Sequence, residues 1–339
     1  MHRLAHDDIE AATGRIADQV RPVTVTRTAP GEIVRTGHHD TAGGGADSCE
    51  VWLALEFMQH TGSFKARGAQ NFIRAHRDAG TLPDIGVTIA SGGNAGLACA
   101  WAARRQGVRA TVFLPTTAPQ VKIAGLRSYG AEVRLVGTQY AEALAACEKF
   151  AAETGALAAH AYDHPLIAAG AGTLLAEIHR QVPGLDTVVV AVGGGGLFAG
   201  VATAARHHGI RTVAVEPENC RALNAALEAG HPVDVPVDSI ASDSLGARRA
   251  SAMALHAAQQ HDVRSVLVPD DEILRARRTL WDHRRLVVEP GAATALAALT
   301  TPTTGPGIGY RPRAGEKIAV VLCGANTDPG DLITGRPEA

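Results

Sequence analysis

Residues 187–200 have the sequence TVVVAVGGGGLFAG, and this stretch decides the fold class. Its first six residues are apolar or β-branched and show no polar alternation, which predicts a strand buried on both faces. The four glycines that follow predict a tight loop, and the apolar pattern from Leu197 to His207 predicts a helix. A buried strand, a glycine loop and a helix in this order are typical of parallel sheets that helices cover on both sides.

The same succession of strand and helix recurs along the chain. Apolar runs that predict buried strands lie at residues 87–90, 110–114, 132–136, 212–215 and 317–322. Alanine-rich patterns that predict helices lie at residues 95–105 and 120–129. The sequence therefore predicts an α/β fold. Two stretches rich in glycine, proline and polar residues predict surface loops at residues 36–48 and 300–315.

The composition excludes several classes of function. A chain of 339 residues allows about two domains. A net charge of −2 and 4% aromatic residues argue against a nucleic-acid partner. Five scattered cysteines without a CxxC pair favour a reducing compartment and argue against structural zinc. Because the chain shows neither an apolar signal core nor a run of about 20 apolar residues, we expect a soluble, cytoplasmic protein with no membrane partner.

Lys65 lies in an unusual setting for a charged residue. It stands in the run GSFKARGA of residues 62–69, shortly after the strand-like residues 51–55. Glycines and a phenylalanine beside a lysine favour an amine that is fixed and partly desolvated. Desolvation disfavours the ammonium form and lowers the pKa, which makes the amine a nucleophile. The local sequence fits equally a surface lysine at the start of a helix.

The loop SGGNAG at residues 91–96 follows a predicted strand and opens a predicted helix. Its glycines let backbone N–H groups point into one space, and the helix N-terminus adds positive potential. Ser91 and Asn94 add side-chain donors, so the loop suits a carboxylate or a phosphate. The alternative is an ordinary turn that a serine or an asparagine caps.

The glycine loop at residues 193–196 predicts a second anion site. Four successive glycines cost conformational entropy, which is understandable if the backbone must wrap closely around a ligand. A rival interpretation is a dinucleotide fingerprint, GxGxxA from Gly194, with Glu216 holding a ribose. It would make the chain an NAD-dependent oxidoreductase, but it leaves Lys65 and residues 91–96 without roles.

Two further residues are candidates for the site. Cys323 follows the last predicted strand, and the carboxyl ends of strands face the crevice where α/β proteins bind ligands. A free cysteine is, however, often a small buried hydrophobic residue. Glu289 precedes a predicted helix at residues 292–299, so it either caps that helix or contacts a ligand.

Together these segments resemble the fold type II pyridoxal 5′-phosphate (PLP) enzymes, in their serine/threonine dehydratase branch. The resemblance runs in order from residues 9–23 through residues 59–65 to residues 322–324, and so covers nearly the whole chain. It implies PLP-dependent β-elimination from a β-hydroxy amino acid such as threonine or serine, which gives a 2-oxo acid and ammonia.

The resemblance also implies the architecture and the assembly. It implies two open parallel-sheet domains, of which the large one binds PLP. The large domain would comprise residues 1–85 and 162–339, and the small domain residues 86–161. By the same resemblance the protein would act on a small-molecule amino acid and form a homodimer.

Roles for single residues follow from the resemblance as well. Lys65 would carry PLP as a Schiff base and act as the catalytic base. The substrate carboxylate would be bound by Ser91, Gly92, Gly93, Asn94 and Ala95. The cofactor would also be contacted by Phe64, Asn94, Gly193, Gly194, Gly195, Gly196, Leu197, Ser244, Glu289 and Cys323.

Four positions depart from the patterns of this family. Gly92 stands where racemases of the group carry a serine base, which favours elimination. Ala222 stands where cation-binding members carry an aspartate, so we predict no metal. Ala95 stands where β-replacement enzymes such as cysteine or threonine synthases usually carry a threonine, which makes that alternative weaker. Ala171 replaces a residue that is often glutamine, which predicts a reshaped substrate side. The full motif around Lys65 argues against a non-catalytic binding protein of this fold.

Overall fold

The computed structural model of the chain describes residues 3–29, 31–33, 49–260, 262–302 and 307–334. The predicted loop at residues 36–48 lies outside the described residues, as do residues 303–306 of the predicted loop at residues 300–315. The other predicted elements lie within the described part of the chain.

The strands form two separate sheets. In chain order they are β1 (Val25–Arg27), β2 (Glu50–Ala54), β3 (Val87–Ile89), β4 (Ala110–Leu114), β5 (Glu132–Leu135), β6 (Leu157–Ala158), β7 (Thr187–Ala191), β8 (Arg211–Pro217), β9 (Val263–Val268) and β10 (Lys317–Val321).

The larger sheet has six strands in the order β1-β2-β10-β7-β8-β9. All pairs are parallel except β1 with β2. The last strand in the chain, β10, therefore lies inside the sheet, where Ile318 pairs with both Val51 and Thr187. All residues of β7 are buried, because this strand is central and helices cover both faces of the sheet.

The smaller sheet has four parallel strands in the order β5-β4-β3-β6. Its strands come from one continuous stretch of the chain, residues 87–158. Residues of β3 and β4 are buried throughout, whereas β5 is partly exposed at the edge. This pattern agrees with the apolar runs that predicted the two inner strands.

Helices connect and cover the strands. In chain order the α-helices are α1 (His6–Ile16), α2 (Lys65–Asp78), α3 (Asn94–Arg105), α4 (Gln120–Ser128), α5 (Tyr140–Thr154), α6 (Pro165–Gln181), α7 (Gly196–His207), α8 (Ala222–Ala229), α9 (Ser242–Leu245), α10 (Ala252–Ala258), α11 (Asp270–Arg284), α12 (Pro290–Thr300) and α13 (Gly330–Thr334). Two 3₁₀ turns, Glu56–Met58 and His60–Gly62, precede α2.

Helix α2 lies where the two halves of the molecule meet. Its residues Phe72 and Ile73 pack in the core of the smaller sheet, together with Ile167 from α6. On another face, the fully buried Arg67 donates to Glu56 and to Glu177 at 2.6–3.0 Å. A buried charge requires partners with good geometry, so these bonds fix the position of α2 and of the residue at its start.

The fold predicted from the sequence is confirmed. Every predicted strand is present, and the strand bounds agree within two residues. The domain boundaries at residues 85/86 and 161/162 stay a prediction; the smaller sheet lies between them. Within the residues that the structure describes, no helix is long and apolar enough to cross a membrane.

Candidate active site

Lys65 begins α2 beside the carboxyl end of the inner strand β10. The N–H of Phe64 donates to the C=O of Cys323 at 2.9 Å, and Ser63 forms an isolated bridge with Gly324. These contacts tie the segment that carries Lys65 to the residues that follow β10. Lys65 is therefore held at the edge of the sheet where parallel strands end, which is the usual ligand-binding edge.

The amine of Lys65 is enclosed by protein. Its Nζ donates to the C=O of Ala161 at 2.7 Å and lies 4.7 Å from the centre of the Phe64 ring. Desolvation lowers the pKa of Lys65 to about 8, although the nearby Cys323 and Glu289 act in the opposite direction. With such a pKa, about a tenth of the amine is neutral at pH 7. The neutral amine is the form that attacks a carbonyl carbon.

A cavity adjoins this amine on the side of the smaller sheet. Its walls are mostly apolar and include Phe72, Ile89 and Cys99, while His160 provides a polar group. Apolar walls keep the local dielectric low, which is the physical cause of the lowered pKa of Lys65.

Residues 91–96 connect β3 to α3 and form the first glycine loop. Gly96 is required here, because a Cβ on it would lie 1.8 Å from the carbonyl oxygen of Ser91. The C=O of Gly93 accepts from Leu97, but within the described residues the N–H groups of residues 92–96 donate to no partner. Unpaired donors at a helix N-terminus form an anion-binding arrangement.

Asn94 is held in one orientation by two neighbours. Its Nδ2 donates to both carboxylate oxygens of Glu289 at 3.0 Å, and its Oδ1 accepts from Nδ2 of Asn326 at 2.7 Å. Desolvation raises the pKa of Glu289 to about 7. Glu289 occupies the N-cap position of α12, but its side chain caps no N–H group there. Of the two roles expected for Glu289, its carboxylate therefore does not cap the helix.

Residues 193–196 connect β7 to α7 and form the second glycine loop. Gly195 adopts a φ of +94°, and a Cβ on it would lie 2.3 Å from the Cβ of Ala254. A Cβ on Gly193 would lie 2.9 Å from the Cα of Leu245. Within the described part of the chain, the N–H groups of residues 193–197 donate to no partner. Buried N–H groups without a partner are rare in proteins, so this loop also indicates an anion site.

The remaining predicted residues lie around the same edge. The Oγ of Ser244 would be 2.1 Å from a Cβ on Gly291, so Ser244 packs against the start of α12. Cys323 is buried, and desolvation raises the pKa of its thiol well above the usual range, which keeps it protonated. The side chain of Leu197 packs in the main core, so only its backbone is available to the second loop.

Glu216 is committed to a helix and not to this site. Its carboxylate accepts from the N–H groups of Leu223 and Asn224 at 2.7 and 2.8 Å, at the start of α8. Burial raises the pKa of Glu216 to about 8. The dinucleotide interpretation of the second loop thereby loses the acidic group that would hold a ribose.

In the described ranges, no three or more His, Cys, Asp or Glu side chains are grouped so that they could hold a metal ion.

Two contacts of the site were not expected from the sequence. One is the bond from Lys65 to the C=O of Ala161, which joins residues 96 positions apart. The other is the bond from Asn326 to Asn94, across 232 positions. A backbone acceptor has no sequence signal, and the sequence around Asn326 does not indicate which distant residue it contacts.

Comparisons with known proteins agree with this arrangement. The family described as pyridoxal-phosphate dependent enzyme matches residues 41–324. The L-threonine ammonia-lyase of Geobacter sulfurreducens is 34% identical over 298 residues, which are 87% of this chain and 71% of the relative. The serine dehydratase-like protein of Mus musculus is 35% identical over 289 residues, which are 81% of this chain and 85% of the relative.

A solved structure shows the same fold. Serine racemase of maize superposes with a TM-score of 0.84 at 28% identity, over 98% of this chain and 96% of that one. Fold and site therefore define a two-sheet α/β enzyme with a half-buried lysine, whose amine is desolvated, between two glycine loops. The chain belongs to the family of PLP-dependent enzymes, with the fold type II architecture, and its cofactor is PLP.

Proposed function

We propose that the protein eliminates water from a β-hydroxy amino acid and releases an enamine, which water then hydrolyses to a 2-oxo acid and ammonia. The observation that carries this proposal is the enclosed amine of Lys65 between two loops with unpaired N–H groups. One loop suits the phosphate of the cofactor, and the other suits the carboxylate of an amino acid. The relatives named as threonine ammonia-lyase and serine dehydratase-like support the same chemistry.

The residues present fit PLP. The unpaired N–H groups of residues 193–197, of which residues 194–197 are buried, match the phosphate, and the neutral fraction of the Lys65 amine matches the aldehyde. The other groups around this edge would contact the ring: Phe64, Asn94, Ser244, Glu289 and Cys323. When bound, PLP supplies a conjugated ring that withdraws electrons and makes the α-proton of an amino acid more acidic.

Residues of the chain then have separate roles in the reaction. The loop formed by residues 91–95 binds the substrate carboxylate and so orients the α-carbon. The Nζ of Lys65 takes the α-proton, a task for which a pKa of about 8 is well matched near physiological pH. Gly92 offers no second base in that loop, which favours loss of the β-hydroxyl over return of the proton on the other face. The protonated thiol of Cys323 brings no charge to the cofactor ring.

The cellular context belongs to the same proposal. All five cysteines are free, which supports a reducing compartment such as the cytoplasm. The family resemblance supports a homodimer and the division of the chain at residues 85/86 and 161/162. Size-exclusion chromatography with light scattering tests the dimer, and limited proteolysis tests the division.

Replacement of Lys65 by alanine tests the function. We expect the purified protein to be yellow, with a visible absorption band that borohydride abolishes, and to release a 2-oxo acid from threonine or serine without a second substrate. Lys65→Ala should lose both the band and the turnover. Lys149→Ala, on the exposed face of α5, is the matched control and should keep both.

Three outcomes would contradict the proposal. Full turnover of Lys65→Ala would remove the lysine from the mechanism. Turnover only in the presence of a second nucleophile would indicate β-replacement. A colourless protein that binds a nicotinamide cofactor would favour an oxidoreductase.

A further inference from the structure

Residues 160–162 form a fixed turn next to Lys65. The Nδ1 of His160 accepts from the N–H groups of Tyr162 and Asp163, at 3.2 and 2.8 Å. The imidazole also contacts the Tyr162 ring edge to face, with ring centres 4.8 Å apart. Between these two residues, the C=O of Ala161 accepts from the Nζ of Lys65. The direction of the Tyr162 side chain is therefore set by the same turn that holds the amine.

Tyr162 lies directly on the second glycine loop. A Cβ on Gly194 would lie 2.4 Å from atoms of the Tyr162 ring, and a Cβ on Gly196 would lie 2.8 Å from its carbonyl oxygen. The absence of side chains at these two positions is thus required by the tyrosine as well as by any anion. The ring covers the loop whose N–H groups are unpaired in the described residues.

The hydroxyl of Tyr162 joins the ring to the segment at residues 249–251, which also contacts the second glycine loop. Its Oη donates to the C=O of Arg249 at 3.2 Å, and the N–H of Ser251 donates to the C=O of Gly194 at 3.0 Å. The loop, the segment at residues 249–251 and the tyrosine therefore form a closed ring of contacts. Desolvation raises the pKa of the Tyr162 phenol, so the hydroxyl remains a donor at neutral pH.

We propose that Tyr162 is a positioning residue that keeps the phosphate of PLP in the second glycine loop, and that its bond to Arg249 holds it there. The proposal rests on the proposed function, because it needs PLP in this loop. In this proposal the ring, which lies against Gly194, closes the loop over the phosphate, so release of the phosphate moves the ring and breaks the bond from the hydroxyl. A single hydrogen bond of ordinary strength corresponds to about a fivefold change in affinity.

The experiment compares PLP with pyridoxal, which has the aldehyde but no phosphate. Both are titrated into the cofactor-free full-length chain, and the dissociation constants are measured from the absorption band of the bound aldehyde. Tyr162→Phe, which removes only the hydroxyl, should raise the Kd for PLP about fivefold and leave the Kd for pyridoxal unchanged. Tyr162→Ala should weaken PLP binding further. Tyr129→Phe, at the end of α4, is the matched control and should change neither constant.

The same titrations contain the results that would overturn the proposal. An unchanged Kd for PLP in Tyr162→Phe would show that the hydroxyl does not hold the phosphate. An equal loss for both compounds would show that Tyr162 acts on the amine through the turn at residues 160–162. A wild-type chain that binds neither compound would contradict the proposed function itself, whereas binding of both by wild type with no selective loss contradicts only the role of Tyr162.

Discussion

The two glycine loops have the same local plan but different surroundings. Each connects a parallel strand to a helix and leaves N–H groups unpaired within the described residues. The loop at residues 193–196 is packed by protein, since a Cβ on any of its glycines would meet an atom closer than 3.0 Å. In the loop at residues 91–96, a Cβ on Gly92 or Gly96 would also meet an atom closer than 3.0 Å, but a Cβ on Gly93 would meet nothing within 4 Å, so this loop is open at Gly93.

This difference matches the residence time of the anions that we assign to the two loops. A cofactor phosphate stays through many turnovers, and an enclosed loop with pre-set donors holds it at little further entropic cost. A substrate carboxylate must enter and leave in each cycle, so its loop needs an open side. The predictions below test this contrast between an enclosed and an open loop.

The largest effect is expected from alanine substitutions at matched positions in the two loops. In Gly195→Ala, the new Cβ meets Ala254 and the backbone keeps a φ of +94°, so the loop must deform. We expect PLP affinity to fall more than tenfold and stability to fall by more than about 1 kcal/mol. Gly93→Ala, in open space, should leave both within about twofold and 0.5 kcal/mol. Cofactor titration and thermal unfolding measure the two quantities.

The opposite ranking would break the comparison. If Gly93→Ala lost more cofactor affinity than Gly195→Ala, the open loop would hold the phosphate. The assignments of the two loops would then be exchanged.

An intermediate effect is expected from pH, because the Lys65 amine belongs to the enclosed side of the site. Its pKa is lowered to about 8, so the neutral fraction rises as pH increases through that value. The rate of PLP capture by the cofactor-free chain should therefore increase about fivefold from pH 7 to pH 8 and level off above pH 9. Stopped-flow absorption measures this rate. A rate that keeps rising about tenfold per unit to pH 10 would show an ordinary, solvated lysine.

The smallest effect concerns an ion pair near the open loop. Lys122 of α4 donates to Asp243 of α9 at 2.6 Å, and its Cδ would be 3.8 Å from a Cβ on Gly92. Because the pair is largely exposed, Lys122→Gln should change stability by less than about 1 kcal/mol. The loss of a cation beside the carboxylate loop should raise KM about twofold at low salt, with kcat and PLP affinity unchanged.

Lys149→Gln provides the control for this substitution. Lys149 forms an exposed pair with Glu153 on α5, and it should change neither KM nor stability. Equal shifts of KM in the two variants would mean that only the net charge of the protein matters.

The sequence predicted the inner strands more reliably than the edges. Residues 187–191 are buried on both faces and so form an unbroken apolar run, which is easy to recognise. At an edge, Val263–Val268 mixes exposed, partly buried and buried positions, and the antiparallel strand Val25–Arg27 has only three residues. Such short or mixed patterns carry little signal before the neighbouring strand is known.

The residues of the site also differ in how far the local sequence predicts them. The glycine loops and Lys65 are recognisable because their local sequences are unusual. The contacts of Asn326 and Tyr162 depend on where distant segments meet, and no local pattern encodes them. Glu216 illustrates the converse, since its spacing suggested a ribose contact while the fold uses both oxygens to cap α8.

The position of β10 determines when the protein can complete its fold during synthesis. All strands of the smaller sheet have been synthesised by residue 158. In the larger sheet, β2 and β7 both pair with β10, so one edge of each strand stays unpaired until residues 317–321 leave the ribosome. At about 5–20 residues per second, this interval lasts on the order of ten seconds or more. During that time two apolar strand edges are open, which is the condition under which nascent chains aggregate. The residues that hold the Lys65 segment, Cys323 and Gly324, follow β10 directly, so the Lys65 amine is fixed in place only after this interval.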